Sequence, residues 1–176
     1  PLEEAPRLSK ALGDVHLLVK REDLTGLATG GNKIRNLEYI FGEVLEQGCD
    51  AVIPTAGVQS NMCRATAATT ARLGMGCVLL LRGTGEETEQ GNLLLDRLLG
   101  ADVRFIPTKD PYDERVTSWL DDARQELESQ GRQPYILHLT GITSTLATCA
   151  YVDGAQELAT QFSSLGRVPE WLYVTV

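Results

Sequence analysis

Short apolar runs alternate with segments of helical periodicity along almost the whole chain, and this alternation limits the fold more than any other feature. Residues 33–47 place apolar side chains at the three- and four-residue spacing of a buried helix face. Strands are predicted at 15–21, 51–55, 77–82, 103–106, 135–139 and 171–176. Further helices are predicted at 61–73, 91–99, 113–130 and 146–162. Strands separated by helices form parallel sheets, so we expect an α/β fold with an open parallel sheet and helices on both faces.

Charge and composition exclude several functions. The chain has 16 Lys and Arg against 24 Asp and Glu, a net charge of −8, whereas nucleic-acid partners select basic surfaces. No apolar run approaches the roughly 20 residues that span a bilayer, so no membrane partner is expected. The four cysteines form no C-x-x-C pair and only two histidines are present. We therefore expect reduced thiols, a cytoplasmic location and no metal site.

The first candidate site is the segment A-T-G-G-N-K-I-R-N-L-E at residues 28–38. Lys33 opens a predicted helix directly after Gly30, Gly31 and Asn32. A helix N-terminus carries partial positive charge, which favours the neutral amine that Schiff-base chemistry requires. The glycines would let the backbone approach a flat ligand closely. Taken alone, the segment also fits an ordinary turn into a helix with a solvated lysine.

The second candidate site is the segment T-A-G-V-Q-S-N-M-C-R at residues 55–64. Here a predicted strand ends in a glycine turn, and Ser60 and Asn61 lead into a helix. The unpaired N–H groups at a helix start can hold a carboxylate. Ser60 and Asn61 are equally suited to plain N-caps, so this motif alone does not decide between binding and structure.

Other catalytic and nucleotide-binding patterns are incomplete. His16 and His138 fall in or beside predicted strands and are expected to be structural. The G-x-G at residues 83–85 lacks the x-x-G that completes a dinucleotide fingerprint, and no G-K-[ST] segment is present. A Rossmann-type nucleotide-binding domain is therefore disfavoured.

Both ends of the sequence predict that it is part of a longer protein. The chain begins with Pro1 rather than Met, and it ends in the apolar run W-L-Y-V-T-V at residues 171–176. A buried strand with nothing after it is expected at a cut rather than at a natural terminus.

The order of these segments resembles the fold-type II pyridoxal-phosphate (PLP) enzymes, and among them the family of D-cysteine desulfhydrase and 1-aminocyclopropane-1-carboxylate (ACC) deaminase. The resemblance rests on V-K-R-E-D-L-T, G-G-N-K-I-R-N-L-E, A-G-V-Q-S-N and G-N-L-L-L-D-R-L-L-G-A-D-V, in that order. It covers essentially the whole chain and about the N-terminal half of a family member. It implies a truncated tryptophan synthase β-like fold. Residues 1–48 would start the larger cofactor-holding domain, 49–162 would form a small α/β domain, and 163–176 would return as a strand into the larger domain.

The resemblance also implies roles for individual residues. Lys33 matches the catalytic lysine that forms the Schiff base with PLP and then moves protons on the substrate. Asn61 matches the asparagine that hydrogen-bonds the cofactor's phenolic oxygen. Ser60, Asn61 and Met62 match the turn that holds the substrate carboxylate, and the Ser60 hydroxyl is a candidate for positioning the substrate during catalysis.

Departures from the family pattern leave the substrate open. Met62 stands where desulfhydrases usually have His and the deaminase has Gln. Residues 139–144 read L-T-G-I-T-S in place of a G-G-S segment, and residues 149–152 read C-A-Y-V without the glycine before Tyr-Val. The resemblance implies breakdown of a small amino acid to a keto acid and ammonia, with D-cysteine desulfhydrase-like β-elimination favoured. ACC deaminase-like ring opening and a non-catalytic small-molecule-binding relative stay open.

The resemblance further implies what the chain lacks. The family's Ser/Gly/Thr-rich loop, which grips the PLP phosphate, follows a strand like residues 171–176. We therefore expect the isolated chain to bind PLP weakly and to be inactive alone, and we expect a homodimer at full length.

Overall fold

A four-stranded parallel sheet forms the centre of the chain, which the computed structural model describes at residues 1–138 and 142–174. The strands are β3 (Ala51–Gly57), β4 (Gly76–Arg82), β5 (Asp102–Ile106) and β6 (Pro134–Leu137), in the order β5-β4-β3-β6. The connecting helices are α2 (Lys33–Glu46), α3 (Asn61–Leu73), α4 (Gly91–Leu98), α5 (Arg115–Ser129) and α6 (Ile142–Ser164). Ahead of them, β1 (Leu2–Glu4) and β2 (Leu18–Lys20) pair antiparallel around α1 (Pro6–Ala11).

Alternating side chains of the strands build cores on both faces of the sheet. On one face, Val52 of β3 packs with α2, and Leu79 of β4 packs with α3 and α4. On the other face, Ile53 of β3 and Leu80 of β4 pack with α5. Helix α6 lies mainly against α2, and its Leu146 packs against the core that α2 shares with the sheet. The predicted parallel sheet with helices on both faces is therefore confirmed.

Local signals set the ends of α3, the helix that carries the second motif. Ser60 caps its start, and Gly74 ends it in the left-handed conformation at a φ of +70°. Because L-residues with a Cβ rarely adopt this conformation, Gly is the expected residue there. The predicted bounds of this helix, residues 61–73, are confirmed.

The prediction of a strand at residues 171–176 is wrong over 171–174. These residues form no regular structure, and Trp171 and Tyr173 are exposed. An apolar run becomes a strand only where a neighbouring strand accepts and donates its backbone hydrogen bonds, and no strand in the described part of the chain pairs with this segment. Residues 175–176 lie outside the described residues.

The other differences are two short elements near the N-terminus and shifts at element ends. The strand predicted at 15–21 is shortened to Leu18–Lys20, and β1 and α1 were not predicted. The strand predicted at 135–139 ends at Leu137 within the described residues, and residues 139–141 of the L-T-G-I-T-S segment lie outside them. Among the described helices, none combines the length and apolar character that a bilayer crossing requires.

Candidate functional site

The second sequence motif and the start of α4 meet beside the carboxyl edge of the sheet. Helix α3 begins just after the carboxyl end of β3, and α4 follows the loop at the carboxyl end of the neighbouring strand β4. Gln59 joins the two helix starts, because its Oε1 accepts from the Asn92 backbone N–H at 2.9 Å and its carbonyl accepts from Asn92 Nδ2 at 2.8 Å. This edge is where ligands bind in open parallel sheets.

The loop before Lys33 is tightly folded around its glycines. Gly30 and Gly31 have φ angles of +70° and +117°. A Cβ on Gly30 would overlap the backbone carbonyl oxygen of Asp23, so no other residue fits there without a backbone shift. The Gly31 N–H donates to the Glu22 carbonyl at 3.2 Å and to Thr25 Oγ1 at 3.1 Å. These contacts fix the point at which α2 begins.

Lys33 is the first residue of α2 and is partly buried. Across residues 1–138 and 142–174 its amine has no hydrogen-bond or ion-pair partner. The contrast is Lys20, whose ammonium pairs with Glu157 and donates to Gln161. The Lys33 amine is therefore not engaged in holding the described fold together.

Ser60 has a capping role in the structure. Its Oγ accepts from the backbone N–H groups of Met62 and Cys63, both at 3.2 Å. This is the plain N-cap that the sequence left open, and it uses two of the N–H groups expected to hold a carboxylate. The Met62 side chain packs against the apolar cluster that contains Ile34 of α2. Position 62 therefore presents no polar side chain to a ligand.

Asn61 is exposed, and its amide orientation is fixed by two donors. Its Oδ1 accepts from Arg64 Nη1 at 3.2 Å and from Asn92 Nδ2 at 3.0 Å. No described residue accepts from its Nδ2. The amide nitrogen is therefore left as a hydrogen-bond donor for a ligand.

Arg64, to which the sequence motif gave no role, connects the two motifs. Its Nη2 donates to the Gly30 carbonyl at 3.0 Å, while its Nη1 contacts Asn61. The loop before Lys33 and the start of α3 are thus held by one guanidinium. The signal in the sequence was an isolated charge in the Ala/Thr-rich stretch of α3, where Arg72 is the only other charged residue.

Asp96, also not singled out from the sequence, is fully buried on α4, one turn after Asn92. Within the described residues neither of its carboxylate oxygens has a hydrogen-bond partner. Burial raises the pKa of Asp96 to about 7, and the Arg64 guanidinium opposes this rise. A buried acidic group thus lies behind the residues that form the site.

Comparison with known proteins identifies the class. The family model for pyridoxal-phosphate dependent enzymes matches residues 1–176. The chain therefore belongs to the family of pyridoxal-phosphate dependent enzymes, and PLP is the cofactor of that family.

Within the family, the chain is similar to proteins with two named activities. It is 42% identical over 166 residues to a putative ACC deaminase of Pyrococcus abyssi, covering 94% of this chain and 48% of the relative. It is 40% identical over 166 residues to the D-cysteine desulfhydrase of Klebsiella pneumoniae, covering 92% and 49%. The crystal structure of an ACC deaminase homologue matches with a TM-score of 0.78 and 36% identity, over 92% of this chain and 48% of that one. The chain spans about half the length of these relatives, and the family inferred from its motifs is confirmed.

Proposed function

We propose that the protein carrying this chain uses PLP bound to Lys33 to break down a small amino acid to a keto acid and ammonia, by β-elimination of the D-cysteine desulfhydrase kind. The observation that carries the proposal is the Lys33 amine, which starts α2 after a glycine loop and has no partner in the described part of the chain. Lys20, the other partly buried lysine of the chain, instead pairs with Glu157.

The groups at the site match those of the cofactor. An unpaired amine, such as that of Lys33, is what an aldehyde requires, and the free Asn61 Nδ2 is a donor for a phenolic oxygen. PLP, when bound, accepts electrons from the α-carbon of the substrate.

The residues of this chain would then bind and orient the substrate. Lys33 is the group proposed to take up and return the proton at the substrate α-carbon. The N-terminus of α3, at residues 60–62, is proposed to hold the substrate carboxylate through its backbone N–H groups. Since the Ser60 hydroxyl now accepts from two of these groups, a carboxylate would share or replace that acceptor.

The choice of substrate rests on Met62. A glutamine is expected at this position in the deaminase, and the Met62 side chain is instead part of the apolar packing against α2. Met62 also replaces the histidine expected in desulfhydrases. Because position 62 matches neither activity, ACC ring opening is kept as the second candidate. A non-catalytic relative that binds a small molecule is the third.

The test compares D-cysteine and ACC as substrates of the protein purified at its natural length with PLP. We expect keto acid and ammonia from D-cysteine at a higher kcat/KM than from ACC, and no product from Lys33→Ala. Lys109→Ala, which changes an exposed lysine of the same chain, should keep full activity. Product from ACC alone would favour the deaminase, and PLP binding without keto acid from either compound would favour the non-catalytic relative.

Ser60 needs its own test because capping and substrate positioning predict different results. Ser60→Ala removes the cap and should lower the free energy of unfolding by about 1 kcal/mol, whereas Ser60→Gly should cost only a few tenths. If the hydroxyl positions the substrate, Ser60→Gly will lower kcat/KM by at least about tenfold while chemical denaturation shows a nearly unchanged fold. Full activity in Ser60→Gly would show that the residue is a cap only.

A further inference from the structure

Arg64 contacts three separate segments through one guanidinium. Its Nη2 donates to the carbonyl of Gly30 at 3.0 Å, and its Nη1 donates to Asn61 Oδ1 and Asn92 Oδ1, both at 3.2 Å. These acceptors lie in the loop before α2, at the start of α3 and at the start of α4. Arg64 Nε is buried, so the side chain is held within the protein rather than extended into solvent.

The chemistry of arginine decides how the Asn61 amide is turned. A guanidinium only donates, so the oxygen of the amide, and not its nitrogen, has to face Arg64. Asn92 Nδ2 donates to the same oxygen at 3.0 Å and to the Gln59 carbonyl at 2.8 Å, which reinforces that orientation. The Asn61 nitrogen is consequently directed away from both donors.

The Gly30 and Asn92 contacts anchor the guanidinium itself. A Cβ on Gly31 would lie 3.8 Å from Arg64 Nη2, which shows that the guanidinium packs against the glycine loop two residues before Lys33. A lysine at position 64 would keep the charge, but its single ammonium lacks the planar fork that reaches all three acceptors.

We propose that Arg64 is a positioning residue that acts through Asn61: it holds the Asn61 amide with Nδ2 outward, as a donor for the cofactor bound at Lys33. This inference rests on the proposed function of Lys33 and Asn61. It predicts that the contribution of Arg64 to cofactor binding exists only while Asn61 is present.

A double-mutant cycle tests this dependence in the protein at its natural length. We expect Arg64→Lys to weaken PLP binding about tenfold, the size of effect typical for a lost charge-assisted hydrogen bond. Asn61→Ala should weaken it to a similar degree. In the Asn61→Ala background, Arg64→Lys should change the PLP Kd by less than about twofold, because residues that act through one another are not additive. The readouts are the PLP Kd, the absorbance spectrum of the bound cofactor and the Tm of the apo protein.

A control variant and a second test variant accompany the double-mutant cycle. Arg72→Lys makes the same change on the exposed part of α3 and should leave the Kd unchanged. Asn92→Ala, which removes one donor to Asn61 Oδ1 and one of the acceptors that anchor Arg64, is the second variant and should weaken binding about threefold.

Two results would overturn the inference. An Arg64→Lys effect that is equal in both backgrounds would show that Arg64 does not act through Asn61. A normal PLP Kd in Asn61→Ala would show that Asn61 does not bind the cofactor, and the inference would fail with it. The proposed function would still stand if Lys33→Ala changed the absorbance spectrum of the bound cofactor. An unchanged spectrum in Lys33→Ala would instead contradict the proposed function.

Discussion

At the scale of single residues, the carboxyl of Asp96 on α4 lies in an environment from which water is excluded. It is fully buried without a hydrogen-bond partner among the described residues, and burial raises its pKa from 3.8 to about 7. Arg64 and the thiols of Cys63 and Cys77 are the titratable groups that interact with it. An ionised Asp96 is therefore unfavourable for the fold, and this gives stability a pH dependence.

Asp96→Asn should reveal that dependence. In the unfolded chain Asp96 ionises above about pH 4, whereas in the folded chain it keeps its proton up to about pH 7. The stability it contributes is complete below pH 4 and is lost as the pH rises through 7. We expect the variant to match the parent protein at pH 4 and to exceed it at pH 8 by up to about 4 kcal/mol, since one pKa unit corresponds to about 1.4 kcal/mol.

Urea denaturation at pH 4, 6 and 8 measures this difference. Asp122→Asn changes an exposed carboxylate on α5 and serves as the control, with a difference that stays near zero. An Asp96→Asn difference independent of pH would show that Asp96 is not protonated in the fold.

At the scale of elements, the loop before α2 fixes where Lys33 lies. Gly26 and Gly30 both have positive φ angles, +84° and +70°, but their surroundings differ. A Cβ on Gly26 would meet no atom within 4 Å, whereas one on Gly30 would overlap the Asp23 carbonyl oxygen. Alanine variants at the two positions therefore distinguish the cost of a positive φ angle from the cost of a steric overlap.

We expect Gly26→Ala to cost about 1 kcal/mol in unfolding free energy, the cost of a left-handed alanine. Gly30→Ala should cost at least about 2 kcal/mol more and should also weaken PLP binding, because the loop has to move away from Asp23 and carries Lys33 with it. Thermal unfolding and PLP titration of both variants measure these effects. Equal losses of stability in the two variants would mean that the loop adapts without moving the start of α2.

The elements also show why sequence patterns indicated some features of the candidate site and missed others. Lys33, Ser60 and Asn61 are marked by local signals: a glycine loop and a capping position ahead of helical periodicity. Arg64 and Asp96 matter through contacts between α3, α4 and the loop before α2, and no periodicity encodes which partner a side chain meets. The capping contacts of Ser60 could be anticipated, whereas a role of Ser60 toward a substrate stays a proposal.

At the scale of the whole molecule, the parallel sheet could be predicted because apolar strands alternate with amphipathic helices. The segment at 171–174 has the same apolar pattern but no pairing strand among the described residues, and it forms no strand. The domain boundary at residue 49 stays a prediction. The apolar face of α2, which precedes it, shares a core with β3 and β6, so α2 and the sheet are packed together.

Ion pairs add to this packing between distant parts of the chain. Glu157 of α6 pairs with Lys20 of β2 and with Arg35 of α2, and Arg35 also pairs with Glu22. Hydrogen bonds from Lys20 and Arg35 lower the pKa of Glu157 to about 2. The helix that begins with Lys33 is thereby held to α6 as well as to the sheet.

Reduction with borohydride shows directly whether Lys33 is the residue that binds PLP. The protein at its natural length, loaded with PLP, is reduced, digested and mapped by mass spectrometry. Lys33 should carry the cofactor, while Lys10, Lys20 and Lys109, the other lysines of the chain, should stay unmodified. Cofactor attached to another lysine, or to none while PLP remains bound, would show that Lys33 is not the residue that binds PLP.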